Sequence, residues 1–241
     1  MVLSFHEESH CPMKWDLLAS LPLFIGMSQT ELENILTHTR IDFQKVKTGE
    51  VFVKRGDKCG QLLIVTQGTI LCQARSDDGA YSIEETLAAP IILQADGIFG
   101  RFQRYTHTIK AVTAVNAIII EKEEIQKMLA DSLIFRLNLA GFLSTRLQKR
   151  EQDLWEQLFV PHGQTQAEKS NSALLHRIKT FLQQRCLSPI GHKVVHIKMT
   201  TLGNILGQRR QNISRILNQM QEEGLVRLSR SKIDIPDLQR L

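Results

Sequence analysis

The stretch LGQRRQNISRIL, residues 206–217, combines guanidinium groups with a helical apolar pattern. On a helix turning by about 100° per residue, its side chains separate into two arcs. The polar arc carries Arg210, Gln211, Ser214, Arg215 and Asn218. The opposite arc carries Ile213, Ile216, Leu217 and Met220. A solvated helix face ordinarily mixes both signs of charge, but this polar arc holds no acid within the stretch.

Such a face suits the major groove of DNA. Arg can donate a forked pair of hydrogen bonds to guanine, and Gln can pair with adenine. We therefore expect base contacts from Arg210, Gln211, Ser214 and Arg215. The DNA backbone is better reached by residues around the start of this helix, by a hydroxyl pair before it and by basic residues after it. The expected phosphate contacts are Thr200, Thr201, Arg209, Asn218, Arg230 and Lys232.

The positive charge of the chain is concentrated in the same region. The net charge is +5 over 241 residues. Residues 161–241 contain 13 Lys and Arg against 5 Asp and Glu, a net charge of +8. Residues 1–160 contain 17 against 20, a net charge of −3. A polyanionic partner is therefore expected at the C-terminal third.

Motifs for catalysis and metal binding are missing. The sequence has no P-loop, no G-x-S-x-G, no H-E-x-x-H and no acid/base pair, so we do not expect an enzyme. Cys11, Cys59, Cys72 and Cys186 are scattered without zinc or iron–sulfur spacing. We interpret them as free thiols and expect no metal site.

The secondary-structure elements that would position the DNA-reading helix begin with a β-rich half over residues 1–121. Ser28 and Glu31 have the spacing of a capping box, which predicts a helix of about ten residues that ends near Thr39. Short β-rich runs punctuated by glycines follow up to residue 121. This texture predicts an antiparallel sandwich, roll or barrel, and residues 1–121 are assigned to one domain.

A helical period replaces the β texture over residues 122–160. Positions with alternating spacings of four and three form a heptad stripe, which favours a parallel homodimer over a helix that packs only on its own β-domain. The polar residues Ser144 and Glu151 in this stripe lower the stability of the helix pair and can fix the register of its two helices. The stripe comprises Leu133, Leu137, Ala140, Ser144, Leu147, Glu151, Leu154 and Leu158.

The remainder is predicted to be a hinge and a DNA-binding domain. Residues 161–171 are polar without periodicity and are interpreted as the hinge. Residues 172–241 are predicted to fold as a helix, a strand, a short helix, a longer helix and a β-hairpin, which is the order of a winged helix-turn-helix. The fold class is thus α+β: an antiparallel β-roll, a long dimerisation helix and a C-terminal winged helix-turn-helix.

This order of elements resembles the CRP/FNR family of bacterial transcription regulators. The resemblance is carried by LPLF at 21–24, GEVFVKRGD at 49–57, LLIVTQGTI at 62–70, RLQKREQ at 146–152 and, above all, the segment from Thr200 to Val226. It implies a homodimer with a cyclic-nucleotide-binding-like β-roll. In the family pattern the recognition helix begins with serine, where this chain has Arg209, whereas Arg210, Ser214 and Arg215 match.

The effector pocket departs from that family pattern. Where members that bind cyclic AMP have a glutamate after Phe-Gly, this chain has Arg101 after Gly100, and Tyr105 stands where an arginine would hold the phosphate. Arg150 and Glu151 replace the threonine and serine that usually touch adenine. We therefore do not expect cyclic AMP. With Cys11 alone near the N-terminus, we do not expect an iron–sulfur cluster either.

Alternatives for the effector stay open. An anionic ligand could meet Arg101, Arg104 and Lys110, a haem could meet Tyr105 or His107, and a solvated β-edge could hold any of these residues. The candidate effector-pocket residues are Phe99, Gly100, Arg101, Arg104, Tyr105 and His107.

The function expected from the sequence is that of a cytoplasmic, homodimeric regulator that reads a near-palindromic operator. RNA polymerase would be a further partner if the regulator activates transcription. The N-terminus has no signal-peptide pattern and no run of about 18 apolar residues exists, so no membrane contact is expected. The alternative is a ligand-controlled regulatory subunit that acts on a protein partner instead of DNA.

Overall fold

The computed structural model describes residues 18–156, 166–188 and 191–240. The N-terminal half is an antiparallel β-roll with flanking helices, and the C-terminal half is a winged helix-turn-helix, which confirms the predicted fold class. The elements of the N-terminal half are α1 (Gln29–His38), β1 (Ile41–Val46), β2 (Val51–Val53), β3 (Gln61–Gln67), β4 (Thr69–Arg75), β5 (Tyr81–Ala88), β6 (Ile91–Leu93), α2 (Asp96–Phe99), β7 (Thr108–Ala111), β8 (Val115–Glu121), α3 (Lys122–Asp131) and α4 (Leu133–Glu156). Those of the C-terminal half are α5 (Gln166–Gln184), β9 (Lys193–Ile197), α6 (Met199–Ile205), α7 (Arg210–Glu222), β10 (Arg227–Ser229), β11 (Lys232–Ile235) and a 3-10 turn (Leu238–Arg240).

Helix α1 begins at the predicted capping box. The Ser28 hydroxyl accepts from the amide of Glu31, and a Glu31 carboxylate oxygen accepts from the amide of Ser28 at 2.8 Å. Two amide groups at the helix start are thereby satisfied. The helix ends at His38 with Thr39 as its C-cap, as predicted.

The helical region after the β-roll is interrupted at Ser132. Helix α3 ends at Asp131, and the Ser132 hydroxyl accepts from the amide of Phe135 in the first turn of α4. The sequence pattern indicated helical periodicity from about Lys122 but did not predict this break. Serine favours such a boundary because its hydroxyl competes for backbone groups.

Helix α4 has two faces with different environments. Phe135 and Leu139 are buried in the core of the β-roll, and the Phe135 ring lies 5.7 Å from the Phe24 ring, centroid to centroid. On the other face Leu133, Leu137 and Leu147 are exposed by 60, 63 and 58%. The helix therefore packs on its own β-roll and still presents a separate apolar stripe to solvent.

Helix α5 begins earlier than predicted. It starts at Gln166, whereas the sequence pattern placed residues 161–171 in a hinge. The prediction for residues 166–171 is wrong because Gln, Ala, Glu and Lys form helix readily even where no apolar period marks a buried face. Residues 161–165 of the expected hinge lie outside the described residues.

The two sheets are unequal, and the larger one joins both halves. The smaller sheet has the strand order β1-β8-β3-β6. The larger sheet has the order β10-β11-β9-β5-β4-β7-β2, so β9 of the C-terminal half pairs antiparallel with β5 of the β-roll. This pairing aligns Tyr81 with Ile197 and Glu85 with Lys193. We call this β5–β9 pairing the interdomain seam; the sequence did not predict it.

Side chains reinforce the interdomain seam. Ile83 of β5 is buried in the hydrophobic core of the C-terminal half. The Tyr81 ring packs edge-on against the Phe181 ring at 5.5 Å, and its hydroxyl accepts from Arg185 Nε at 2.7 Å. Because an apolar side chain of one half completes the core of the other, the halves are docked and not merely tethered.

Candidate nucleic-acid interface

Helix α7 has the amphipathic division that its sequence predicted. Ile213, Ile216, Leu217 and Met220 are all buried. Arg210, Gln211, Arg215 and Asn218 are exposed, and Ser214 is half-buried. The apolar face packs into the C-terminal core, so the polar face is turned outward as one surface.

The polar face of α7 also has an acidic end. Gln211, Ser214, Arg215, Asn218, Gln219 and Glu222 line a shallow groove along this face. Glu222 stands at the last helical residue, three turns beyond Arg210. Residues at the N-terminal end of a recognition helix reach the base edges, so the acid stands at the end that points away from them.

The turn before α7 requires a close approach of backbones. A Cβ atom added to Gly203 would lie 2.6 Å from the carbonyl oxygen of Gln208, whose amide donates to the Gly203 carbonyl at 2.8 Å. Gly207 has φ +59°, a left-handed conformation that glycine adopts without strain. Small residues at these two positions let α6 and α7 pack together in a tight helix-turn-helix.

Neither helix of the helix-turn-helix has a side-chain cap at its start. The N-cap of α6 is Lys198, and it has no side-chain cap bond. Thr200 and Thr201 lie inside α6, where Thr200 is exposed and Thr201 is half-buried. Arg209 is the N-cap of α7 and also makes no side-chain cap bond, so its exposed guanidinium stands at the helix start.

Arg215 has a partner that the sequence did not reveal. Its Nη2 atom donates to Asn171 Oδ1 of helix α5. The sequence pattern places Asn171 in the hinge, and no local signal connects it with a residue 44 positions away. A candidate base-reading side chain is thus oriented by the helix that precedes the helix-turn-helix.

The β10–β11 hairpin forms the wing. Ser231 occupies its turn with φ +57°, and Arg230 is exposed beside it. Lys232 is half-buried, and its Nζ lies 3.5 Å from Asp234 Oδ2. The Arg230 guanidinium is therefore the freer of the two cations that were expected to contact phosphate.

Four of the six candidate effector residues line one cavity, and two lie apart from it. A cavity of about 270 Å³ lies where the β-roll meets the C-terminal half, and Gly100, Arg101, Arg104 and His107 line it. Phe99 is partly exposed under the Lys122 ammonium group, 5.3 Å from its ring centroid. We call the cavity between the β-roll and the C-terminal half the junction cavity.

Tyr105 and Lys110 lie apart from the junction cavity. Tyr105 is buried beside Cys59, and burial raises the pKa of its hydroxyl. Lys110 is exposed on β7 and does not line the cavity, so the expected convergence of Lys110 with Arg101 and Arg104 is not formed. The junction cavity includes residues that the sequence did not single out, among them Gln94, Asp96, Thr106 and Arg185.

The heptad stripe of α4 is exposed along its described length. Leu133, Leu137 and Leu147 are exposed apolar residues. Ala140, Ser144 and Glu151 are at least partly exposed as well. The side chains of Leu154 and Leu158 lie outside the described residues.

Family comparisons agree with this architecture. Residues 43–132 match the sequence model of the cyclic nucleotide-binding domain, and residues 173–241 match that of the Crp-like helix-turn-helix domain. A β-roll of this type followed by a Crp-like helix-turn-helix defines one class of bacterial transcription regulators. Within that class, the chain belongs to the CRP/FNR family.

Solved structures with a similar chain course include three regulators. The catabolite activator protein of Thermus thermophilus is 21% identical, with a TM-score of 0.49 over 90% of this chain and 95% of that chain. DNR from Pseudomonas aeruginosa is 20% identical, with a TM-score of 0.45 over 98% of both chains. A crp/fnr-family regulator from Eubacterium rectale is 25% identical, with a TM-score of 0.47 over 92% of this chain and 99% of that chain.

Two negative findings complete the comparisons. No curated protein matches the sequence. Among the described residues, no helix combines the length and the apolar character that a membrane crossing requires.

Proposed function

We propose that the protein binds DNA sequence-specifically, with helix α7 in the major groove. The observation that carries this proposal is the division of α7 into a buried apolar face and an exposed polar face. Arg210 and Gln211 occupy its first turn, the part of a recognition helix that reaches base edges. Arg210 and Arg215 would donate forked bonds to guanine, Gln211 would pair with adenine, and Ser214 would add a hydroxyl contact.

The DNA backbone would be held at both flanks of α7. Arg209 at the start of α7 and Arg230 at the turn of the wing are exposed cations. Thr200, Thr201, Asn218 and Lys232 would add further contacts to phosphate oxygens. These contacts orient the domain on the duplex and carry no sequence information themselves.

The active form would be a homodimer joined along the heptad stripe of α4. In support, Leu133, Leu137 and Leu147 are more than half exposed on a helix whose other face is already packed. A second copy of the same stripe offers heptad packing and removes this apolar surface from water. Two-fold symmetry would then place two recognition helices one DNA turn apart, about 34 Å, on a near-palindromic operator.

The β-roll would control DNA binding in response to an effector other than cyclic AMP. In support, Arg101 lies directly after Gly100, at the position where cyclic-AMP-binding relatives are expected to have an acceptor carboxylate for the ribose. A guanidinium group cannot accept a hydrogen bond, so a ribose hydroxyl would lose that interaction.

Selection of bound sequences from a random pool of duplex DNA tests this proposal. Purified full-length protein should enrich a motif with two inverted half-sites about ten base pairs apart. Addition of cyclic AMP should leave the enriched motif and the bound fraction unchanged. Enrichment of no motif, with and without a cell extract that supplies small molecules, would contradict the DNA-binding proposal.

A further inference from the structure

The junction cavity is lined by residues of both halves of the chain. The β-roll contributes Gln94, Arg101, Arg104 and Thr106, and the segment after helix α5 contributes residues 185–187. Its volume of about 270 Å³ is just below the usual range for drug-sized ligands, so it suits a small metabolite. A ligand bound there would contact both halves at once.

Three guanidinium groups line this cavity without a carboxylate partner among the described residues. Arg101 makes no hydrogen bond to any described residue and only stands over the Phe102 ring. Arg104 donates to the Gly56 carbonyl, and Arg185 donates to the Tyr81 hydroxyl and the Phe181 carbonyl. Each guanidinium has five N–H donors, so donors remain for a ligand. The charges also remain unneutralised, which favours an anion.

Gln94 adds a buried donor to the same lining. Its Oε1 atom accepts from the Thr106 amide at 3.0 Å and from the Thr106 hydroxyl at 3.3 Å, which assigns the other terminal atom as the NH2 group. Gln94 is only 4% exposed, and its Nε2 atom is buried without a hydrogen-bond partner among the described residues. An unsatisfied buried donor is destabilising, and an acceptor on a bound ligand that reaches this atom would relieve that cost.

The backbone of Gln94 is strained as well. Its φ is +47°, a left-handed conformation that is uncommon for residues other than glycine. Such strain is retained where a particular side-chain position is needed, and it is common at ligand sites. Strain and an unpaired donor at one residue therefore both point to a ligand in the cavity.

One acid limits the choice of ligand. Asp96 also lines the cavity; its side chain is half exposed, and its Oδ1 lies 3.9 Å from Arg146 Nη2. With three arginines against one aspartate, the lining remains cationic. We infer that the junction cavity binds a small organic oxyanion, a carboxylate or a phosphate ester, through Arg101, Arg104, Arg185 and Gln94.

Such a ligand would stabilise the interdomain seam. The amides of Leu187 and Ser188, two and three residues after the cavity residue Arg185, donate to the Glu85 carboxylate of β5 at 2.6 and 3.2 Å. An oxyanion that joins Arg185 to Arg101 would hold this segment against the β-roll. The oxyanion would thus be the effector of the proposed regulator, and this regulatory role rests on the proposed function, whereas the binding itself does not.

The experiment uses full-length protein without DNA, with inorganic phosphate and succinate as probes in separate calorimetric titrations. At least one probe should bind saturably, one per chain, with a dissociation constant of about 1 mM or tighter. Arg101→Gln should weaken binding by at least about tenfold, because a charge-assisted hydrogen bond is lost. Lys45→Gln removes one positive charge from the exposed strand β1 and should leave binding unchanged.

Arg185→Gln tests the contribution of the C-terminal half. It should weaken binding about as much as Arg101→Gln, and the probe should slow amide exchange in β5 in the wild-type protein but not in Arg185→Gln. Because Arg185 also donates to the Tyr81 hydroxyl, circular dichroism must show that this variant folds. If the variant does not fold, Arg101→Gln alone tests the site, because Arg101 makes no hydrogen bond to a described residue. Binding of phosphate alone would indicate a phosphate ester, and binding of succinate alone a carboxylate.

Three results would overturn the inference. These are no saturable binding of either probe, equal weakening by Lys45→Gln, and weakening by Arg101→Gln with none by a folded Arg185→Gln. None of these titrations contains DNA, so a failure of the oxyanion site leaves the DNA-binding proposal intact. A failure to enrich a DNA motif likewise leaves the binding measurements valid.

Discussion

Lys193 Nζ lies 2.8 Å from Glu85 Oε2, with both side chains fully buried at the seam between the two halves of the molecule. Lys193 belongs to β9 of the helix-turn-helix half, and Glu85 belongs to β5 of the β-roll. The Glu85 carboxylate also accepts from the amides of Leu187 and Ser188. Each of these three donors comes from the C-terminal half, so this β-roll carboxylate contributes to docking.

The Glu85–Lys193 pair should make the interdomain seam sensitive to single charge changes. Removal of one member of a buried ion pair costs roughly 3–5 kcal/mol, because the other charge stays in a dry environment. Opening of the seam relieves that cost by exposing the charge to water. We therefore expect Glu85→Gln and Lys193→Met each to accelerate hydrogen exchange of the amides in β5, measured by mass spectrometry.

The double variant Glu85→Gln/Lys193→Met is the matched control. It leaves this buried position without a charge, and the glutamine that replaces Glu85 can still accept from the amide of Leu187 through its side-chain oxygen. We expect exchange in β5 of the double variant to be slower than in either single variant. If the single variants exchange no faster than the double variant, the ion pair does not govern docking.

Arg210→Ala should relax DNA preference at one base position. The loss of a bidentate contact with guanine costs about 1–3 kcal/mol on the enriched operator. On random DNA the loss should be small, because a base contact contributes little there. Fluorescence anisotropy with both duplexes measures the two affinities. Equal losses on both duplexes would assign Arg210 to a phosphate instead.

The salt dependence of DNA binding distinguishes the proposed function from the alternative of a protein-binding regulatory subunit. Arg209, Arg230 and Lys232 provide three candidate cationic phosphate contacts per chain, hence six per dimer. The slope of log K against log salt concentration should be about −5, since each neutralised phosphate contributes about −0.9. Titrations between 50 and 200 mM salt, roughly the range over which such losses are large, measure the slope. A flat response would favour the protein-binding alternative.

Leu137→Asp should disrupt the proposed homodimer. Leu137 is 63% exposed in the single chain and lies on the heptad stripe, so dimer formation would bury the new carboxylate opposite its symmetry mate. Burial of unpaired charge should weaken the dimer by on the order of 3 kcal/mol or more. Sedimentation equilibrium should show monomer where the wild-type chain is dimeric.

Gln126→Asp is the control for the dimer test. It introduces the same charge on exposed α3, away from the heptad stripe, and should leave the mass in solution unchanged. A wild-type chain that remains monomeric at micromolar concentration would contradict the dimer proposal directly. Loss of the dimer in both variants would show that net charge, not the stripe, controls association.

Cys186 should react slowly with iodoacetamide while the chain is folded. Burial, together with the nearby Glu85 charge, raises the pKa of its thiol to about 12, although Lys193 opposes the shift. At pH 8 only about one thiol in ten thousand is then ionised, against about a quarter of thiols with an ordinary pKa. The rate should rise about tenfold per pH unit between pH 8 and 10.

The same cysteine in urea-unfolded protein provides the reference rate, measured on the Cys186 peptide by mass spectrometry. The unfolded thiol should react about a thousandfold faster at pH 8 and approach a plateau above its ordinary pKa. Equal rates in folded and unfolded chains would show that Cys186 is accessible and that the junction is open in solution.

Features set by local periodicity could be predicted from the sequence. The capping box at Ser28 and Glu31, the two faces of α7 and the order of elements in the C-terminal half depend on residues a few positions apart. Hydrogen bonds within a helix and the 3.6-residue period are local, so the pattern alone indicates which side chains share a face. The helix start at Gln166 was missed because polar helix formers leave no such pattern.

Features that depend on distant residues could not be predicted. The junction cavity combines Gln94, held in a strained conformation, with Arg185 from beyond helix α4, and Arg215 meets Asn171 across 44 residues. Tyr105, which the family pattern placed in the pocket, is instead buried against Cys59. Nothing in the neighbouring sequence of any of these residues indicates its partner.

The sequence by itself thus determined the class of protein: a β-roll, a long helix and a basic helix-turn-helix, because composition, charge and periodicity are properties of contiguous residues. Only the tertiary structure decided how the halves are joined. The pairing of Glu85 with Lys193 spans 108 positions. It forms because β5 and β9, each with one buried charged residue, pair edge to edge in a single sheet. That pairing depends on chain topology, which local patterns do not encode.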